Sequence, residues 1–262
     1  MKDKKGISGS TLKMVAVITM LIDHIAAVVL YRYLLANHFS FVIDLPVVTP
    51  AEKRLYHIYL IYDIMRSIGR LAFPIYCFLL VEGFIHTRSR TRYAFRLFLF
   101  ALLSETPFDL GFEKQLIEFS YQNVFFTLFI GFLTIWILNG VYTYLQKHFE
   151  GVALQLLRLI CFLPVTAIGA IGAELLKTDY GATGVITISC IFYFKQLSNV
   201  LSFAAGCGVL TISMPVEWPA FFGLLLVSKY NGTRGWKLKY AFYFFYPVHF
   251  LVLYGICVCM GI

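Results

Sequence analysis

Apolar stretches of about 18 or more residues recur along the whole chain, and each is long enough to cross the roughly 30 Å hydrocarbon core of a bilayer. Of the 262 residues, 60% are hydrophobic and only 14% are charged, with a mean hydropathy of +0.77. Soluble domains carry about a quarter charged residues, so this chain could not cover a soluble surface. The sequence predicts one integral membrane domain over residues 1–262, an all-α polytopic transmembrane helical bundle.

The apolar runs predict about nine spans, at 12–31, 58–85, 93–110, 121–145, 152–173, 181–196, 198–214, 217–229 and 237–260. The short runs between 181 and 229 leave open whether this part makes three full spans or includes a re-entrant piece. Basic residues accumulate in alternate segments, which by the positive-inside rule places the N-terminus in the cytoplasm and the C-terminus outside. The same rule explains the net charge of +8 without a nucleic-acid partner. The residues on which this orientation rests are, on one side, Lys2, Lys4, Lys5, Arg88, Arg90, Arg92, Lys147, Lys195, Lys229, Arg234, Lys237 and Lys239. The segments on the other side are acidic or mixed and contain Asp44, Glu52, Lys53, Arg54, Glu113, Lys114, Glu118, Glu174, Lys177, Asp179 and Glu217.

The start of the chain has features of a signal peptide, because lysines precede an apolar run. Asp23 and His24 interrupt that run and no small-residue cleavage site follows, so we interpret it as a retained first span. Six cysteines lie in apolar runs without metal-ligand spacing. We therefore interpret the cysteines as packing residues and predict no metal site.

Placing an ionisable side chain in the middle of a span costs at least about 2.5–3.5 kcal/mol of insertion free energy, so such residues are candidates for a function. Lys13 and His24 lie eleven residues apart on the first span, which is three helical turns and about 16 Å along the axis. They therefore share one side of the helix, with Lys13 at the cytoplasmic interface and His24 deep in the membrane. The structural alternative is a snorkelling lysine and a packed histidine.

Other predicted spans also contain ionisable residues. Counting from the start of the last span, His249 reaches a depth close to that of His24, so the two histidines could meet near the midplane. The second span carries Asp63, Arg66 and Arg70 at helical spacing, followed by the pair Glu82 and His86. The third span carries the pair Glu105 and Asp109.

Four carboxylates of the predicted outer half (Asp23, Asp63, Glu105 and Asp109) face only two guanidiniums, those of Arg66 and Arg70. This imbalance indicates either a protonated carboxylate or a site for a cationic guest. The structural alternative is an ion-pair network that fixes helix packing.

These residues stand in segments that resemble the TraX family, membrane proteins associated with N-terminal acetylation of conjugative pilin. The resemblance covers nearly the whole chain in order. Its segments are Leu12-Lys13-Met14, Thr19 to His24, Gly69 to Pro74, Val81 to Phe84, Ser104 to Asp109, Gln122 to Thr127, Asp179-Tyr180-Gly181 and Tyr243 to His249.

The Lys13–His24 spacing is also similar to the basic-x10-His signature of the broader transmembrane acyltransferases. That resemblance implies that the basic residue holds coenzyme A and that His24 is the catalytic base. Lys13 stands where arginine is commoner, and lysine lacks the bidentate fork of arginine. A cytoplasmic mouth of Lys13 with Arg88, Arg90, Arg92 and Arg96 would bind the phosphates of acetyl-CoA.

A carboxylate would orient the His24 ring. Asp23 is nearest in sequence but points about 100° away on a helix, so Glu105 or Asp109 from the third span is the better candidate. His249 has three open roles: second base, oxyanion donor or packing residue. Asp63, Arg66 and Arg70 are the predicted acceptor-binding residues.

The leading hypothesis is an acetyltransferase of a bacterial cytoplasmic membrane that moves acetyl from acetyl-CoA to an amine of a peptide or pilin-like protein, or to a glycan hydroxyl. The carboxylate excess favours an amine. A proton-coupled transporter or flippase would use similar buried charges, although the chain shows no matching broken helices in two halves. A non-catalytic assembly factor is the third reading.

Overall fold

The computed structural model describes residues 6–41, 49–236 and 239–262, with residues 239 and 240 described by their backbone only. Within these ranges the chain forms helices and two isolated β-bridges. The helices are α1 (Gly9–Ala36), α2 (Pro50–Gly69), α3 (Ala72–His86), α4 (Arg90–Glu113), α5 (Val124–His148), α6 (Gly151–Leu175), α7 (Gly181–Phe194), α8 (Asn199–Ser213), α9 (Pro215–Val227) and α10 (Lys239–Met260). The predicted all-α fold is confirmed.

Among the described residues, five helical stretches are long and apolar enough to cross a membrane: Gly9–Ala36, Pro50–His86, Val124–His148, Gly151–Leu175 and Ala241–Met260. By contrast, α7 has 14 residues and α8 has 15, which gives each only about 21–23 Å at the helical rise. The protein is therefore a helical membrane protein, while nine full crossings and the sidedness stay predictions. Of the residues used to predict sidedness, Lys2, Lys4, Lys5, Asp44 and Lys237 lie outside the described residues, as does the side chain of Lys239.

Helix starts follow local capping chemistry. Ser8 caps α1 by accepting from the amide of Thr11, and Thr49 with Glu52 forms a capping box before α2. Such caps satisfy amides that have no partner in the first helical turn. The first two amides of α1, those of Gly9 and Ser10, donate to carbonyls of the 233–234 loop at 2.8 and 3.0 Å.

The core lies where α1, α3, α4, α5, α7, α8 and α10 meet. Among its fully buried side chains are Phe78, Phe84, Phe132, Phe203 and Phe250. The helix α1 packs on α2, α3 and α10, and α10 packs on α4, while α7 and α8 form a hairpin against α5, α6 and α3. This arrangement brings the middle of α1 next to the middle of α10.

A buried ion pair ties α3 to the α7–α8 turn. The Glu82 carboxylate contacts the Lys195 ammonium and accepts from the Tyr230 hydroxyl at 2.9 Å. The predicted i,i+4 contact of Glu82 with His86 is confirmed at 3.7 Å, although the His86 side chain is mostly exposed. Lys195 therefore supplies the main countercharge of Glu82.

Candidate functional site

His24 stands at a change of helix type. The α-helical part of α1 ends at His24, and Ile25–Leu30 forms a π-helix before α-helix resumes. Short π-helical segments within α-helices are frequent at functional sites. Nothing in the sequence of this apolar stretch predicted the π-helix.

The predicted meeting of the two histidines is confirmed. Nδ1 of His24 lies 2.6 Å from Nε2 of His249, and Nδ1 of His249 lies 3.0 Å from the carbonyl oxygen of Phe245. A carbonyl only accepts, so Nδ1 of His249 carries the proton and its Nε2 accepts from Nδ1 of His24. In neutral His24 the remaining nitrogen, Nε2, therefore carries a lone pair.

Aromatic rings enclose the histidine pair. The His24 ring lies 4.6 Å from the Phe250 ring centroid, and His249 stacks on Phe245 at 5.1 Å. Gly111 permits the close approach of Phe250, because a Cβ at that position would come within 2.6 Å of the Phe250 ring. These contacts hold both imidazoles in fixed orientations.

His24 lines a cavity of about 260 Å³, which we call the first cavity. Its wall comes from α1, the α2–α3 junction, the end of α4, the segments at the starts of α5, α7 and α9, and the middle of α10. The charged or phenolic residues on this wall are Asp23, Arg66, Arg70, Tyr76, Tyr121, Asp179, Tyr180, Glu217 and Tyr246.

Two ion pairs occupy the wall of the first cavity. Arg66 contacts Asp23 at 2.6 Å, and Arg70 contacts Glu217, a completely buried residue, at 2.7 Å. The two pairs leave three buried polar atoms without a hydrogen-bond partner in the described chain: Oδ1 of Asp23, Oε2 of Glu217 and Nε of Arg70. Buried polar groups are normally satisfied, so these atoms are available to a bound molecule.

Gly69 explains how Asp23 reaches this position. A Cβ at Gly69 would overlap the side chain of Asp23. Only glycine therefore allows the α2–α3 junction, which carries Arg66 and Arg70, to approach α1 this closely.

Asp179 belongs to the loop between α6 and α7. Its carboxylate accepts from the Tyr121 hydroxyl at 2.5 Å, and its backbone amide donates to Gln122 at 2.8 Å. Burial raises the pKa of the Asp179 carboxyl to about 6, and the hydrogen bond from Tyr121 opposes that shift. The two loops therefore close one side of the first cavity as a unit.

Comparison with known proteins now adds to this geometry. The family profile described as TraX protein matches residues 8–257. The chain belongs to the TraX family. A similar protein is the "Probable fimbrial assembly protein FimC, serogroup H1" of Dichelobacter nodosus, which is 30% identical over 219 residues, covering 73% of this chain and 82% of that protein. No solved structure matches the chain.

In this TraX-family chain six of the eight segments that carry the resemblance contribute residues to the first cavity. The contributing segments are residues 19–24, 69–74, 104–109, 122–127, 179–181 and 243–249. Segments that are far apart in the sequence therefore form one wall.

Some predicted site residues lie elsewhere. Glu105 accepts from the side chain of Asn123, and Asp109 accepts from the amide of Glu118 at 2.9 Å. Neither belongs to the residues that line the first cavity, and the ring nitrogen of His24 meets His249 instead of a carboxylate. Asp63 is exposed on α2. Asp23 pairs with Arg66 and does not orient the His24 ring.

The predicted donor-binding residues lie apart from the first cavity. Nζ of Lys13 stands 5.8 Å from the Phe242 ring centroid, and Arg96 stacks over Tyr93 at 5.4 Å. Arg88 and Arg92 are exposed.

Sequence reasoning missed six polar residues of the first cavity, namely Tyr76, Tyr121, Asp179, Tyr180, Glu217 and Tyr246. Asp179 and Glu217 were assigned to loops as indicators of sidedness. The available signal was that Asp179 and Tyr180 stand in a segment of family resemblance, while Glu217 lies within an apolar stretch.

Proposed function

We propose that this TraX-family protein is a membrane-embedded acetyltransferase that moves an acetyl group from acetyl-CoA to an acceptor amine. The observation that carries the proposal is the state of His24. Its Nδ1 is occupied by His249, and its Nε2 is the basic nitrogen of a residue on the wall of a charged cavity. A positioned neutral imidazole is the most common general base in enzymes.

The chemistry that this arrangement supports is direct transfer. Nε2 of His24 takes a proton from the acceptor amine as the nitrogen attacks the thioester carbonyl. The C–N bond forms, the C–S bond breaks, and the imidazolium returns the proton to the thiolate. Nδ1–H of His24 keeps its hydrogen bond to His249 throughout, which fixes the ring. Nε of Arg70, a buried donor without a partner in the described chain, suits the oxyanion that develops on the carbonyl.

The acceptor class follows from the unfilled acceptors of the wall. Oδ1 of Asp23 and Oε2 of Glu217 have no hydrogen-bond donor in the described chain, and an ammonium group would supply one before it is deprotonated. The similar fimbrial assembly protein is consistent with a pilin-like polypeptide as the acceptor. A glycan hydroxyl is the second candidate, since His24 would activate it in the same way.

The donor side follows from the charge distribution. With the N-terminus in the cytoplasm of a bacterium and about nine crossings of the cytoplasmic membrane, Lys13, Arg88, Arg92 and Arg96 face cytosolic acetyl-CoA and bind its phosphates.

Purified protein in nanodiscs, incubated with labelled acetyl-CoA and a peptide with a free N-terminal amine, tests the proposal. Wild type should acetylate the peptide, and His24→Ala should lower kcat by about 10²–10⁴-fold, the usual contribution of a general base. His57→Ala, on an exposed position of α2, is the matched control and should keep full activity. A wild type that neither binds nor consumes acetyl-CoA refutes the enzyme. Proton movement into proteoliposomes by that same wild type would favour the transporter instead.

A further inference from the structure

A second cavity of about 700 Å³ adjoins the first. Arg66 and Phe112 line both cavities, so the two share a wall. Leu35 and Lys114, which also line the second cavity, are exposed, so it opens to the surface. Its volume lies within the range of about 300–1,000 Å³ that is typical of ligand sites.

The second cavity contains a buried cation. Arg32 is only 7% exposed, and its Nη2 donates to the carbonyl oxygens of Leu110 and Gly111 at 3.1 and 2.6 Å. Its Nη1 is buried without a hydrogen-bond partner in the described chain, and the Tyr254 ring centroid stands 6.0 Å away. A buried charge is costly unless an opposite charge compensates it.

No carboxylate of the described residues pairs with Arg32. Glu113 lines the same cavity, yet none of the ion pairs within the described ranges involves Arg32 or Lys114. Arg66, on the shared wall, is paired with Asp23. Within the described part of the chain, two cations of the second cavity are therefore available to an anionic group of a bound molecule.

We propose that the second cavity is an acceptor subsite that binds an acidic side chain of the acceptor polypeptide, with Arg32 as its main contact and Lys114 at its rim. The inference rests on the proposed function, because the amine of the same polypeptide would occupy the first cavity. An extended chain advances about 3.3 Å per residue, so an acid one to three residues after the amine reaches across the shared wall. The cavity is much larger than a single phosphate group, and Tyr31 and Tyr62 on its wall suit peptide side chains.

The test measures peptide binding to the full-length protein in nanodiscs of zwitterionic lipid, without acetyl-CoA. Peptides with a free N-terminal amine carry Asp at position 2, 3 or 4, and each has a matched Asn peptide. A charge-assisted hydrogen bond corresponds to about a 10- to 100-fold preference, so the best Asp peptide should bind at least about 10-fold more tightly than its Asn partner.

Two variants locate the preference. Arg32→Gln keeps an amide donor for the Leu110 and Gly111 carbonyls but removes the charge, and should abolish the preference. Lys114→Asn removes a rim charge at a left-handed backbone position (φ of 58°) that asparagine tolerates, and should reduce the preference several-fold. If Arg32→Gln does not fold, the peptide preference of Lys114→Asn alone tests the subsite. Arg54→Gln, at an exposed position, is the control and should leave the preference unchanged.

Equal binding of Asp and Asn peptides overturns the subsite, as does a preference that survives in Lys114→Asn and in any folded Arg32→Gln. The proposal is also overturned if the wild type retains phosphatidylglycerol, the variants lose it, and neither discriminates between the peptides. That result would assign the cavity to a lipid phosphate. Because acetyl-CoA is absent, an acid preference in a protein that never transfers acetyl refutes the proposed function while the subsite stands.

Discussion

His249 fixes the protonation of His24, because it accepts from Nδ1 of His24 at 2.6 Å while its own Nδ1 donates to the Phe245 carbonyl at 3.0 Å. A backbone carbonyl therefore determines, through two imidazoles, which nitrogen of His24 is basic. Under the proposed function His249 is a positioning residue, since it does not line the first cavity.

Replacing His249 should separate positioning from packing. His249→Leu fills the space but accepts no hydrogen bond, so we expect kcat for acetyl transfer to fall by roughly 10–100-fold, within the contribution of a general base, at unchanged KM for acetyl-CoA. His249→Gln restores an acceptor and should recover part of that loss. Steady-state kinetics on both variants decides, and full activity of His249→Leu would refute the positioning role.

Gly69 should tolerate no side chain. Gly69→Ala places a Cβ into the Asp23 side chain, and such overpacking costs about 1–3 kcal/mol. Thermal unfolding in detergent should show a lower Tm together with weaker acceptor binding, because Arg66 and Asp23 move apart. Gly140→Ala is the control: that glycine lies within α5 with nothing within 4 Å of the added Cβ, so its Tm should stay or rise. An unchanged Tm in Gly69→Ala would contradict the close contact.

The sequence predicted the bundle and the meeting of His24 with His249 because hydropathy and helical rise determine depth. It could not predict which carboxylates reach the first cavity. Glu105 has the spacing of a site residue, but α4 directs it to Asn123. Glu217 reaches Arg70 because α9 begins beside the α2–α3 junction. Lateral helix order is a tertiary property with no local signal in one sequence, and the same holds for the π-helix after His24.

The Arg70–Glu217 pair should be strongly coupled. Glu217→Gln leaves the Arg70 charge without its carboxylate, and removing one partner of a buried pair costs about 3–5 kcal/mol. Replacing both partners, as Arg70→Met with Glu217→Leu, should recover much of the free energy of unfolding. Glu150→Gln at an exposed helix start is the neutral reference. Additive losses in the double variant would show that the two side chains do not interact.

Asp179 should make stability depend on pH. Burial raises the pKa of its carboxyl from 3.8 to about 6, so the folded state favours the protonated form. The corresponding stability is present below pH 4 and is lost as pH rises through 6, by on the order of 2–3 kcal/mol. Asp179→Asn should flatten this part of the curve of unfolding free energy against pH. An equally steep curve in the variant would assign the pH dependence to another group.

Lys13 should contribute to donor binding and not to chemistry. The amides of Gly9 and Ser10 at the start of α1 are occupied by carbonyls of the 233–234 loop. Under the proposed function the Lys13 side chain, and not the helix end, therefore contacts a phosphate. Lys13→Ala should weaken acetyl-CoA binding by about 10-fold or more, the loss of one charge-assisted hydrogen bond, with kcat nearly unchanged. Lys13→Arg should retain binding, because both side chains bind phosphate, and Lys53→Ala at an exposed position of α2 should have no effect. Equilibrium binding of labelled acetyl-CoA measures each Kd, and an unchanged Kd in Lys13→Ala would remove Lys13 from the donor site while leaving the role of His24 intact.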